Sequence, residues 1–188
     1  VGKTRLAIQL TRELQPTVAD GAVFVLLAPL SDPGHLPNAI LNALRQRAPG
    51  NAPGSGVTSP TEAITEFLES RELLLALDNF EHLLDGAPLV AELLARCPRL
   101  RVLVTSRERL NLSGERVVEL RPLARSDAIT LFVRQVTAAK PAFARTPQNE
   151  ATLDAICAHL DDLPLAIELA AARARMLTPA RLLARLTD

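Results

Sequence analysis

The chain has 188 residues, enough for one domain or a domain with a small companion. Lys plus Arg (21) balance Asp plus Glu (21), so no net field draws nucleic acid or an anionic membrane to it. With aromatics at 3% and no Trp or Tyr, stacking platforms for single-stranded nucleic acid are not expected, and no apolar run reaches the roughly 18 residues a membrane helix needs.

Val1 is not an initiator Met and opens directly into Gly2-Lys3-Thr4, so the chain reads as a fragment, with no signal peptide. From Thr4 to Leu14 the apolar residues Leu6, Ala7, Leu10 and Leu14 recur at helical spacing until Pro16. Residues 22–28 form an unbroken apolar run, the length and β-branched content of a strand buried on both faces. His35 to Arg47 predicts a helix, and residues 48–56 a Gly/Pro-rich loop. Ser59-Pro60-Thr61-Glu62 has the form of a capping box opening a helix with Ile64, Phe67 and Leu68 on one side.

Leu73 to Leu77 is a second apolar strand, ending at Asp78. Leu83 to Arg96 predicts a helix, Arg101 to Thr105 a third strand and Arg116 to Leu120 a fourth. Strands alternating with helices imply parallel βαβ units with right-handed crossovers. After Pro122 the pattern is helical throughout. Ser126 is the expected cap of a helix to Lys140, and further helices span Glu150–Asp161 and Pro164–Leu177 and start at Thr178-Pro179. The expected organisation is an α/β domain over 1–121 followed by an all-helical subdomain over 122–188.

Val1-Gly2-Lys3-Thr4 matches the end of the G-x-x-x-x-G-K-[ST] phosphate-binding loop. In that loop backbone N–H groups and a helix N-terminus surround the phosphates, Lys reaches the β and γ positions, and the hydroxyl ligates Mg²⁺. By itself the tetrapeptide is equally an ordinary loop before a helix. Asp78 shifts the balance, because an apolar strand ending in Asp puts a carboxylate at the C-terminal edge of a parallel sheet, where such folds bind ligands. There it can hold Mg²⁺ opposite Thr4; its competing role is a helix cap. Thr105-Ser106-Arg107 falls at the same edge, with Arg107 a candidate for a terminal phosphate or, alternatively, a surface ion pair. Cys97 and Cys157 lack metal or redox spacing and read as two buried thiols. The arginines between Arg99 and Arg125 accompany no helix-turn-helix pattern, so DNA contact by this chain is not expected.

Leu75 to Leu83 (LALDNFEHL) resembles the Walker B segment of the STAND signal-transduction ATPases, close to the NB-ARC class. Arg101 to Glu108 is similar to their sensor 1 strand, and Leu160 to Arg173 (LDDLPLAIELAAAR) resembles the GxP region of their helical subdomain. The combination is most like the ATPase module of bacterial LuxR-type multidomain transcriptional regulators, and it covers nearly the whole chain. The resemblance implies a P-loop fold whose first strand precedes Val1, ATP or ADP with Mg²⁺ as cofactors, and slow ATP turnover coupled to switching in a bacterial cytoplasm. Gly2, Lys3 and Thr4 would hold phosphates, Thr4 and Asp78 the Mg²⁺, Arg107 the terminal phosphate, and Pro164 would pack on adenine. The catalytic set would be Asp78, Glu81 and Arg107. Partners would be DNA-binding and helical-repeat sensor domains of the same full-length protein, with homo-oligomerisation on activation. Two positions depart from the pattern: Asp162 stands where the family has Gly, and Asn79 where many P-loop ATPases carry a second acid. The rival readings are a P-loop kinase acting on a small molecule and a nucleotide-free helical scaffold for protein partners.

Overall fold

The computed structural model describes residues 2–47 and 59–187, so Val1 and the expected loop at 48–56 lie outside the described residues. The chain divides into two compact units, Lys3–Val118 and, with the N-terminal residues, Glu119–Asp188.

The first unit is α/β. Its helices are α1 (Lys3–Leu14), α2 (Leu36–Arg47), α3 (Pro60–Leu68) and α4 (Ala87–Arg96), and its strands β1 (Ala22–Leu26), β2 (Leu73–Asp78) and β3 (Leu100–Val104). The strands pair in parallel in the order β1-β2-β3, with Phe24 opposite Ala76 and Ala76 opposite Leu103. β2 is central and buried at every residue, which is why its sequence is a continuous apolar run rather than an alternating one. Side chains alternate across the sheet, so Leu73, Leu75 and Leu77 enter the main core with Ile40, Leu44, Ile64 and Phe80 from the α2, α3 and β2-following segments. Leu74 belongs to a smaller cluster with Val18 and Ala22 on the opposite face, where α1 packs against β1 and β2. By the same period of two, Asp78 falls on the α1 side.

Three expectations fail in this unit. Residues 116–120 form no strand; Val117 and Val118 are 52% and 80% exposed. A strand exists only through ladder partners, and among the described residues this β-branched pair has none. The capping box is not made, because the Ser59 side chain forms no cap bond and helix α3 relies on Pro60 in its first turn. The helix expected from Leu83 starts only at Ala87, after two 3₁₀ turns, with Pro88 setting its first turn.

The second unit holds α5 (Arg125–Ala139), α6 (Glu150–His159), α7 (Pro164–Arg173) and α8 (Pro179–Thr187) around Phe132, Ile156, Ile167 and Leu182. Its start is not capped by Ser126. Ala124, with an extended backbone, is the N-cap and its carbonyl accepts from Asp127 and Ala128 N–H, leaving Ser126 inside the first turn. Helix α7 stops at Arg173 rather than Leu177. Helix α6 ends in a Schellman arrangement: Asp162 N–H donates to the Cys157 carbonyl at 3.0 Å and Asp161 N–H to the Ala158 carbonyl at 3.0 Å. Asp161 (φ 51°) and Asp162 (φ 53°) both take the left-handed backbone that glycine usually supplies there.

No helix among the described residues is long and apolar enough to cross a membrane.

Candidate functional site

The C-terminal edge of β2 and β3 carries a connected polar network. Thr105 follows β3 directly and is fastened to the β2 exit by four hydrogen bonds. Its N–H donates to the Leu77 carbonyl at 2.9 Å, and its carbonyl accepts from Phe80 N–H at 2.9 Å. Its hydroxyl donates to Asp78 Oδ1 at 2.6 Å and accepts from Asn79 N–H at 2.9 Å. These bonds let the chain leave β2 through Asn79 in the left-handed region (φ 68°), a conformation Asn tolerates better than other non-glycine residues.

Asp78 is 1% exposed, and a carboxylate at that depth needs partners. Oδ1 has Thr105. Oδ2 accepts no hydrogen bond among the described residues. One carboxylate oxygen is thus fixed and the other left without a hydrogen bond among the described residues.

Lys3 belongs to the first turn of α1 and its ammonium donates to the carbonyl of Ser106, next to Thr105. Lys3 and Asp78 are in this way brought to one sheet edge through Thr105-Ser106. Thr4 is exposed one residue further along α1, whose first turn holds no acidic residue to offset the positive end of its dipole. Gly2 precedes the helix with φ 78°, where a side chain would strain the backbone.

Arg107 and Glu81 pair with each other at 3.1 Å, with side chains 82% and 20% exposed. The two residues expected to act separately in catalysis therefore share one ion pair, and its exposed arginine end is screened and weakly held. His82, exposed, lies 3.2 Å by Nε2 from the Leu27 carbonyl and 3.3 Å by Nδ1 from Asn79 Nδ2. Since the amide donates, Nδ1 accepts and Nε2–H donates, tying the β1 exit to the β2 exit. Sequence reasoning gave Thr105 and Asn79 no positioning role; the only signal was a hydroxyl residue directly after an apolar strand.

Pro164 lies in the first turn of α7, half-buried, in the helical unit. Nearby in that unit Asp162 is held by Arg125, Nε to Oδ1 at 2.7 Å and Nη2 to Oδ2 at 3.1 Å, while Arg125 Nη1 reaches Asp154 Oδ2 at 3.3 Å. These carboxylates push the Arg125 guanidinium further up, with the Asp162 hydrogen bond the main cause. Beneath them Cys157 is buried and free; burial first, then the charge of Asp162, pushes its thiol up to about 11 against a lowering by Arg125.

No family model matches the chain. Over its whole length it is 40% identical to proteins of Mycobacterium bovis and Mycobacterium tuberculosis provisionally named as HTH-type transcriptional regulators, and it spans 21% of their length. It is 37% identical, again over its whole length, to a Mycobacterium tuberculosis protein named only as uncharacterized, and spans 47% of that protein.

Proposed function

We propose that the chain is the nucleotide-binding switch module of a multidomain regulator, a slow ATPase of the P-loop, STAND/NB-ARC type. The observation that carries the reading is the Asp78 carboxylate, buried at the end of the central strand with one oxygen fixed by Thr105 and the other without a hydrogen bond among the described residues, at the edge where the Lys3 ammonium is also held. A buried acid, a lysine and the acid-free start of a helix form a donor set suited to a phosphate chain with a divalent cation.

In this reading Lys3 and the Gly2 backbone hold the terminal phosphates, and Thr4 and Asp78 hold Mg²⁺. Bound Mg²⁺ with ATP supplies the neutralised, transferable phosphoryl group; the protein's part is positioning and charge stabilisation. Release of Arg107 from Glu81 gives a cation for the terminal phosphate and leaves Glu81 as the nearest acid to orient water, since Asn79 cannot act as a base. With an amide at that position, slow turnover is the expected rate class. The GxP-like region keeps its proline, Pro164, as the contact for adenine, and Asp162, at the position of the family's Gly, has a left-handed backbone (φ 53°). Nucleotide exchange would then bias the arrangement of the module, and output would pass to other domains of the full-length protein. The regulator names of the 40%-identical relatives, of which the chain spans 21%, support a transcriptional output, and the bacterial cytoplasm remains part of the family resemblance.

The test is ATP binding and single-turnover hydrolysis in the full-length protein, with Lys3→Ala as the comparison. Loss of one partner of a buried charged contact costs about 2–5 kcal/mol, so affinity should fall between roughly thirtyfold and a few thousandfold. A change below about threefold would remove the phosphate assignment. No Lys3-dependent binding at all would favour a scaffold that binds protein partners.

A further inference from the structure

Thr105 makes four hydrogen bonds at the exit of β2. Its backbone N–H and carbonyl hold Leu77 and Phe80, and its hydroxyl bridges Asp78 Oδ1 (2.6 Å) and the Asn79 N–H (2.9 Å). The residue is 9% exposed. A hydroxyl has one proton and must choose where to send it. Here the Asn79 N–H can only donate, which obliges the hydroxyl to use its own proton on Asp78. Asp78 Oδ1 is consequently committed, which leaves Oδ2 as the carboxylate oxygen with no hydrogen bond among the described residues.

We propose that Thr105 is the positioning residue of the cation site: it orients Asp78 so that one defined oxygen, Oδ2, is offered to a divalent cation. The inference rests on the Mg²⁺ reading of Asp78. Mg²⁺ demands near-ideal octahedral geometry and is held through one or two carboxylates, so it is sensitive to the rotation of a single acid. A carboxylate free to rotate, or to offer both oxygens, fits that requirement worse. Asn79 takes part passively; its left-handed backbone brings its N–H to the hydroxyl and so fixes which way the hydroxyl proton points.

The experiment titrates MgCl₂ into the full-length protein with a fluorescent ATP analogue, beside the analogue in EDTA. Wild type, Asp78→Ala, Thr105→Ser, Thr105→Val and Thr105→Ala are compared. A hydrogen bond to a charged group contributes about 1.5–3 kcal/mol, which converts to an expected Mg²⁺ affinity roughly 10- to 150-fold weaker in Thr105→Val and Thr105→Ala. Nucleotide affinity in EDTA should stay unchanged in both, and Thr105→Ser should titrate like wild type. Thr105→Ala adds no bulk, so it serves if the valine methyl disturbs folding. If Asp78→Ala abolishes the Mg²⁺ response but the valine and alanine variants keep it, the positioning role is wrong and the cation site stands. If Mg²⁺-free affinity falls as much as the Mg²⁺ response, Thr105 only holds the fold and the inference is overturned. A wild type without any Mg²⁺ response overturns the cation reading of Asp78, and this inference with it.

Discussion

Gly86 and Leu36 offer a prediction in which the sign of an effect depends on one contact. Gly86 ends the 3₁₀ turn before α4 with φ −84°, a backbone that alanine adopts without strain. On backbone grounds alone Gly86→Ala should stabilise by about 0.4–1 kcal/mol, because it restricts the unfolded chain. A Cβ at Gly86 would, however, sit 2.9 Å from Leu36 Cδ2, and Leu36 is 0% exposed at the start of α2. Overpacking a filled site costs about 1–3 kcal/mol, so the net effect should be destabilising by roughly 0.5–2 kcal/mol. Leu36→Ala alone should cost about 2–5 kcal/mol by opening a cavity. In that background the obstructing methyl is gone, and Gly86→Ala should turn stabilising by about 0.4–1 kcal/mol. The coupling between the positions is then on the order of 1–3 kcal/mol. Amide hydrogen exchange across β2 measures this in the α/β unit without mixing in the helical one. An equal destabilisation by Gly86→Ala in both backgrounds would refute the packing account.

Two further predictions concern the helical unit. Asp162→Gly and Asp162→Ala both lose the bond to Arg125, so their difference isolates the backbone: at φ 53° glycine should leave the unit about 1 kcal/mol more stable than alanine, by hydrogen exchange in α6. Equal stabilities would mean the left-handed turn is not held. For Cys157, burial raises the folded-state thiol value, so the neutral form is favoured and its stability contribution is complete below the ordinary thiol range. As pH rises toward about 11 the unfolded chain ionises first and that contribution is lost. Urea titrations followed by circular dichroism should show a steeper loss over that interval in wild type than in Cys157→Ala, and native Cys157 should resist iodoacetamide until the unit unfolds. Parallel pH profiles would show the thiol to be solvated.

The sequence was informative where burial on both faces left no alternative. Residues 73–77 have no polar position, so they read as a central strand, and their last residue marks Asp78 as a carboxylate at a sheet edge. The same logic misled at Val117-Val118, because β-branched side chains favour a strand only where a neighbour completes the ladder. Capping was poorly legible at Ser59 and Ser126: a hydroxyl residue near a helix start says nothing about which carbonyl begins the helix, and at α5 that carbonyl is Ala124's. At the site, residue types and chain order pointed to Lys3 and Asp78. What they could not convey was the pairing of Glu81 with Arg107, or the fastening of Asp78 by Thr105. Both depend on how two strand exits meet across more than twenty residues of chain. Asp161-Asp162 was opaque for another reason: two acids in succession signal a turn, but not that both adopt a glycine-like backbone.

The open side of β3 has a consequence for handling the chain in solution. Among the described residues no strand adjoins it beyond β2, and its Val102, Leu103 and Val104 are only half-buried. A strand edge with apolar side chains and no neighbouring strand is a template for edge-to-edge pairing between molecules. One charge interrupts it, Arg101, and that guanidinium is engaged by Glu72 at 2.9 Å. The chain in isolation should therefore self-associate as its concentration rises, and a lysine at Val102 would act as a gatekeeper that slows this.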